Sequence, residues 1–182
     1  DRAVVGWGLR PTTHKARAFA AEHQLPFIAL EDGFLRSLGL GVAGYPPYSI
    51  VYDNIGIYYD TTRPSRLEQL ILAADAMPSE TLAQARQAMD FILKHHLSKY
   101  NHAPELSDNH PLRSPSKSET VLIIDQTFGD MAIQYGGADA STFELMFQTA
   151  LNENPQADIW VKTHPDVLCG KKPVSYTHLT LP

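Results

Sequence analysis

The sequence predicts an α/β protein made of two halves. Short apolar runs alternate with segments whose apolar residues recur at helical spacing. A polar stretch at 100–118 that carries several prolines separates the two sets. With 182 residues, the chain has room for one domain and part of a second, at roughly 150 residues per domain. We therefore expect two Rossmann-like domains, the second of them truncated.

The first predicted domain, 1–99, begins with alternating strand and helix signals. The apolar run 3–7 is predicted to be a buried strand, and 15–23 a helix with its N-cap at Thr12 or Thr13. The later elements are a strand at 25–30, short strands at 49–53 and 56–59, a helix with Pro64 in its first turn, and a long helix capped by Ser79.

The segment 100–118 is predicted to be a domain linker, because it is polar and has no periodicity. The second domain, 119–173, is then predicted to hold a strand at 121–124, a loop at 125–139, a helix from Ser141 and a strand at 159–161. Two Rossmann-like domains joined by a linker form a GT-B-like arrangement. Residues 174–182 resemble translated adapter sequence and are predicted to be a non-native tail that packs on nothing.

Composition excludes several classes of protein. A net charge of -5 argues against a nucleic-acid-binding surface, which needs clustered basic residues. No run approaches the roughly 18 apolar residues of a membrane span. The single cysteine, Cys169, excludes an intrachain disulfide and fits a reducing compartment. We expect a cytoplasmic protein.

An acidic pair, Glu31 and Asp32, precedes Gly33 directly after the predicted strand 25–30. Ligands of α/β proteins bind outside the carboxyl ends of the strands, so this is a candidate site. Taken alone, an acidic pair before glycine is more often turn chemistry. The nearby sequence Gly6-Trp7-Gly8 is predicted to be a tight turn, because Pro11 replaces the third glycine of a dinucleotide-binding fingerprint.

A second candidate site follows the predicted strand 159–161. Strand alternation places Lys162 and His164 on one face, and Pro165 stiffens the turn, so the pair is predicted to grip a phosphate. The alternative is a helix-capping or core histidine. Gln126 and Asp130 lie in the loop 125–139, where a carboxylate either forms a turn or takes part in catalysis. Spacing leaves that choice open.

Five motifs in order resemble one family: 30–41, 56–60, 99–101, 125–130 and 161–167. They closely resemble the capsule polysaccharide biosynthesis proteins of the KpsC type, and the chain looks more like the first of the two modules in such proteins. The resemblance implies a retaining transferase that moves Kdo from CMP-Kdo to a lipid-linked, phosphatidylglycerol-type acceptor. It also implies a location on the cytoplasmic face of the inner membrane, where capsule-assembly proteins are possible partners.

The resemblance assigns roles to the candidate residues. The nucleophile maps onto Asp130 and the acid/base onto Glu31, with Asp32 and Gly33 shaping its turn. In an inverting reaction, Glu31 or Asp32 would be a base alone and Asp130 would be structural. Chemistry suggests that Arg36 pairs with the carboxylate of the sugar. The remaining substrate-binding candidates are Gln126, Lys162, His164 and Pro165.

No metal or other cofactor is expected, because CMP leaves with a single phosphate and the chain has no Asp-x-Asp motif. Protein cations are expected to stabilise that phosphate instead. The chain alone is expected to be inactive, since the family's nucleotide-binding domain continues further. The alternative function is a noncatalytic nucleotide-sugar-binding or scaffold module of the same pathway.

Overall fold

The computed structural model describes residues 2–113, 119–127, 129–168 and 170, without the side chains of Pro165 and Asp166. The chain divides into two compact units, Asp1–Ala103 and Pro104–Pro182. The division falls inside the segment 100–118. The tail at 174–182 and Cys169 lie outside the described residues.

Unit 1, Asp1–Ala103, is built on a three-stranded sheet of order β1-β2-β3. The strands are β1 (Val4–Trp7), β2 (Phe27–Asp32) and β3 (Ile50–Asp53). Helix α1 (His14–Glu22) connects β1 to β2, which makes this pair parallel, whereas β2 and β3 are antiparallel. Strand β2 runs two residues beyond its predicted end, because its pairing with β3 continues through Glu31 and Asp32.

Two further predictions in unit 1 need correction. The strand predicted at 56–59 is absent, because the Asp53 carboxylate accepts the backbone N–H groups of Ile55 and Gly56 at 2.8 Å each and closes a turn. The other correction concerns helix starts. Ser65 and Glu68 form the capping box of α2 (Arg66–Leu72), so Pro64 precedes that helix, and Ser79 is the first residue of α3 (Ser79–Lys94) rather than its cap.

Unit 2, Pro104–Pro182, contains a parallel pair of strands, β4 (Thr120–Ile124) and β5 (Asp158–Lys162). The predicted loop 125–139 is wrong in part, because it contains the short helix α4 (Met131–Tyr135), which Asp130 caps. Helix α5 (Ala140–Glu153) starts one residue before Ser141, because Asp139 forms a capping box with Thr142. Helix α6 (Pro165–Leu168) follows β5.

The apolar core is small in the described part of the chain. Its buried apolar side chains include Ala29 on β2, Ile57 after β3 and Ile123 on β4. Short 3-10 helices connect the main elements, at Pro11–Thr13, Gly41–Ala43, Ala74–Ala76 and Pro111–Arg113. None of the helices described is long and apolar enough to cross a membrane. The chain therefore has a mixed α/β architecture, with polar residues at the carboxyl ends of its strands.

Candidate functional site

In unit 1, Glu31 lies at the carboxyl ends of the two parallel strands. Trp7 pairs with Leu30 across β1 and β2, and Gly8 N–H donates to the Leu30 carbonyl at 2.7 Å. The indole Nε1–H of Trp7 donates to Glu31 Oε1 at 3.0 Å. The backbone N–H of Asp32 reaches the same oxygen at 3.2 Å. The half-buried Glu31 carboxylate is thus anchored at the strand end where the sequence predicts a site.

The turn after β1 has room for glycine alone. Gly8 has φ +55, a conformation that L side chains rarely adopt. A Cβ added there would lie 2.5 Å from the Tyr59 hydroxyl and 2.8 Å from Glu31 Oε2. The Tyr59 hydroxyl also accepts the backbone N–H of Leu9 at 2.9 Å. The tight turn predicted at Gly6-Trp7-Gly8 is present, and it borders the Glu31 carboxylate.

Asp32 has different surroundings from Glu31, since neighbouring strand residues point to opposite faces of a sheet. Its Oδ2 forms an ion pair with Nε of Arg36 at 2.8 Å, with 20% and 11% of the two side chains exposed. Arg36 Nη1 donates to Ser37 Oγ at 2.9 Å and to the Tyr45 carbonyl at 2.8 Å. The guanidinium therefore ties the loop after β2 to the strand end, and its pairing with a sugar carboxylate stays a prediction.

Gly33 permits the close approach of β2 to β3. Its N–H donates to the Ser49 carbonyl at 2.9 Å, and an added Cβ would lie 2.9 Å from the Ser49 carbonyl carbon and would clash with its hydroxyl. This packing requires glycine whether or not a substrate binds nearby. The substrate-binding role of Gly33 stays a prediction.

In unit 2, the loops after β4 and β5 leave the sheet at the same edge. Ile124 pairs with Lys162 in the parallel register, and Asp125 N–H donates to the Lys162 carbonyl at 3.1 Å. Gln126 and Lys162 are exposed and His164 is half-buried. The structure therefore brings the Gln126 loop and the Lys162-His164 segment to the carboxyl ends of the two parallel strands.

Asp130 both begins a helix and borders a cavity. Its Oδ1 accepts the backbone N–H of Ala132 at 2.9 Å and so caps α4. The cavity beside it has a volume of about 220 Å³ and a lining that includes the apolar side chains of Met131, Ile133 and Phe143. The Asp130 carboxylate therefore caps α4 and also borders a cavity, so the two roles are compatible.

The backbone of His164 begins helix α6. Its carbonyl accepts the N–H groups of Val167 at 3.0 Å and Leu168 at 3.3 Å, and the helix starts at Pro165. The helix-capping interpretation of this segment thus holds for the backbone. Phosphate binding by the His164 ring and by Lys162 stays a prediction, as do the roles of Gln126 and Pro165.

Sequence reasoning missed the residues that surround Glu31. Trp7 and Tyr59 lie 24 residues before and 28 after it in sequence, and only strand pairing and the turn at Gly8 bring them close. The available signals were the presence of Trp7 in the predicted turn Gly6-Trp7-Gly8 and of Tyr59 in the motif 56–60. Among the residues described, no group of three or more His, Cys, Asp or Glu side chains is arranged to hold a metal ion.

The chain is similar to known proteins of capsule polysaccharide biosynthesis and modification. Residues 2–179 match the family described as capsule polysaccharide biosynthesis protein. The capsule polysaccharide modification protein LipA of Neisseria meningitidis serogroup A is 94% identical over 177 residues, which are 97% of this chain and 25% of LipA. The lipopolysaccharide-processing protein LpsZ of Rhizobium meliloti is 37% identical over 94% of this chain and 38% of LpsZ. The chain spans about a quarter of the length of LipA.

Two solved structures share the fold. The β Kdo 2,4 transferase of Thermosulfurimonas dismutans KpsC has a TM-score of 0.89 and 45% identity, over 98% of this chain and 54% of that one. The β Kdo 2,7 transferase of the same protein has a TM-score of 0.59 and 26% identity, over 92% of this chain and 48% of that one. The chain is therefore structurally similar to Kdo transferases.

Proposed function

Because the chain belongs to the capsule polysaccharide biosynthesis protein family, we propose that it is part of a glycosyltransferase that moves Kdo from CMP-Kdo to a lipid-linked acceptor. The observation that carries this proposal is the 0.89 TM-score to a Kdo transferase. The chain also has one carboxylate, Glu31, at a strand end and another, Asp130, at the start of α4. The two units would belong to a GT-B-like arrangement. The activity belongs to the full-length protein, of which this chain is a portion.

Glu31 is proposed as the acid/base and Asp130 as the nucleophile of a retaining reaction. In such reactions one carboxylate attacks the anomeric carbon, and the second activates the acceptor hydroxyl. Asp130 suits attack because it borders a cavity while only its Oδ1 is used in capping α4. The higher identity to the 2,4 transferase than to the 2,7 transferase supports transfer to a 4-hydroxyl group.

The leaving CMP would be stabilised by Lys162 and His164. Both residues lie at the carboxyl end of the two-stranded sheet, which the Gln126 loop also leaves, and the Lys162 side chain is exposed. A single phosphate carries less charge than the diphosphate of commoner donors, so protein cations suffice and no metal is required. The acceptor would be a phosphatidylglycerol-type lipid at the cytoplasmic face of the inner membrane, with the enzyme bound peripherally.

The test is a transfer assay on the full-length protein that carries this chain. We expect Asp130→Asn to abolish transfer from CMP-Kdo to a soluble Kdo acceptor, while calorimetry shows that CMP-Kdo still binds. Binding survives because the phosphate contacts are untouched. The control is Asp90→Asn, the same substitution at an exposed position on α3, which should transfer normally.

Two outcomes would contradict parts of this proposal. Donor binding without any transfer by the unaltered protein would favour the noncatalytic binding module. The assay is run in excess EDTA, where we expect full activity. Loss of transfer that Mg²⁺ or Mn²⁺ restores would overturn the assignment of Lys162 and His164 as the phosphate grip.

A further inference from the structure

The indole of Trp7 and the backbone of Asp32 hold a single oxygen of the Glu31 carboxylate. Their N–H groups donate to Oε1 at 3.0 and 3.2 Å respectively. The Trp7 bond joins β1 to β2 at the ends of these strands, where pairing already fixes both backbones. Two donors from fixed positions on one oxygen restrict the rotation of the carboxylate.

The other oxygen, Oε2, points toward the turn at Gly8. It accepts no hydrogen bond from the described residues, and it does not belong to their buried unpartnered polar atoms. Gly8 has no side chain to cover Oε2, since a Cβ there would lie 2.8 Å from this oxygen, and the Tyr59 hydroxyl borders the same position at 2.5 Å. One carboxylate oxygen is thus anchored and the other is accessible.

We propose that Trp7 is a positioning residue for Glu31, which fixes Oε1 so that Oε2 receives the proton of the acceptor hydroxyl. This inference rests on the proposed function. In that step the hydroxyl oxygen attacks the anomeric carbon, its proton moves to Oε2, and the bond between the sugar and Asp130 breaks. The electron pair of that bond returns to the Asp130 carboxylate. A general base acts only when it is within hydrogen-bonding reach of the proton that it takes, so its orientation affects the rate.

The first experiment replaces Trp7 by phenylalanine in the full-length protein. Trp7→Phe removes the N–H donor and keeps an aromatic ring at the end of β1. We expect kcat for transfer from CMP-Kdo to fall about ten-fold, as for loss of one hydrogen bond to a charged group. KM for CMP-Kdo should stay unchanged, because the proposed donor contacts lie in unit 2. The matched control is Trp160→Phe, the same substitution at the other tryptophan of this chain, which should leave kcat unchanged.

A second experiment separates positioning from a structural role. Glu31→Asp keeps a carboxylate but shortens the side chain, which withdraws it from the indole. If Trp7 acts through Glu31, adding Trp7→Phe to Glu31→Asp should lower kcat no further. An equal loss in both backgrounds would overturn the proposal, and so would an unchanged kcat in a folded Trp7→Phe protein. If Trp7→Phe does not fold, Trp7→Leu, which also lacks a donor, is assayed instead, and wild-type kcat in that variant overturns the proposal.

Glu31→Gln distinguishes failure of this inference from failure of the proposed function. Wild-type kcat in Glu31→Gln would remove Glu31 from catalysis and with it the basis of the inference. Loss of activity in Glu31→Gln together with normal kcat in Trp7→Phe would leave the proposed function standing and would remove the positioning role of Trp7.

Discussion

Glu31 and Asp32 are neighbouring carboxylates with different partners. Glu31 receives an indole and a backbone N–H, whereas Asp32 pairs with the guanidinium of Arg36. The sequence alone shows only two acidic residues before a glycine. Alternation places their side chains on opposite faces of the sheet only because β2 continues through both residues. Their position at a strand end was therefore predictable, and their division of roles was not.

Replacing His164 by alanine in the full-length protein should weaken both donor binding and turnover. Loss of a hydrogen bond to a developing charge typically costs ~10²-fold in rate. Because the His164 carbonyl accepts the N–H groups of Val167 and Leu168, and alanine keeps this carbonyl, the substitution should leave the helix start intact. Steady-state kinetics with CMP-Kdo and circular dichroism provide the measurements. Unchanged kinetics would assign the His164 ring to packing.

At the scale of elements, the apolar runs predicted β1, β4 and β5 to within two residues at each end. The errors have local causes that composition does not reveal. Pairing with β3 extended β2 past its apolar run, and the Asp53 carboxylate converted a strand-like segment into a turn. Helix α4 was missed because it has only five residues, too few for helical periodicity to be visible.

The N-terminus of α5 yields a prediction of pH dependence. The Ser141 hydroxyl and the Thr142 backbone N–H donate to Asp139 and hold the pKa of its carboxyl below the ordinary aspartate value. A lowered folded-state pKa stabilises the protein above the unfolded-state pKa, and this stabilisation is lost as pH falls through the folded-state pKa. Asp139→Ala should therefore lower the unfolding temperature near neutral pH, by an amount that shrinks in acid.

Thermal unfolding of the 182-residue chain across acid and neutral pH measures this effect. The control is Asp108→Ala, at an exposed aspartate outside any helix or strand, which should leave the unfolding temperature nearly unchanged at every pH. A deficit of Asp139→Ala that stayed constant with pH would show that its charge does not contribute to the cap.

At the scale of the whole molecule, the sequence predicts the family to which the chain belongs, but it does not predict the contacts that surround the site residues. Five ordered motifs point to KpsC-type proteins, and the family match and the solved Kdo transferases support that interpretation. Contacts such as that of Trp7 with Glu31 depend on pairing between distant segments, so no single motif contains them. The chain spans about a quarter of LipA, and catalysis is therefore tested in the full-length protein.

The most direct test of the account is to trap the proposed covalent intermediate on Asp130. Glu31→Gln removes the base that activates the acceptor, so the sugar should transfer to Asp130 and remain there. After incubation of the full-length Glu31→Gln protein with CMP-Kdo, we expect intact-mass measurement to show the addition of one Kdo residue. Peptide mapping should place that residue on Asp130. An adduct that still forms when Asp130 is also replaced by asparagine would contradict the account.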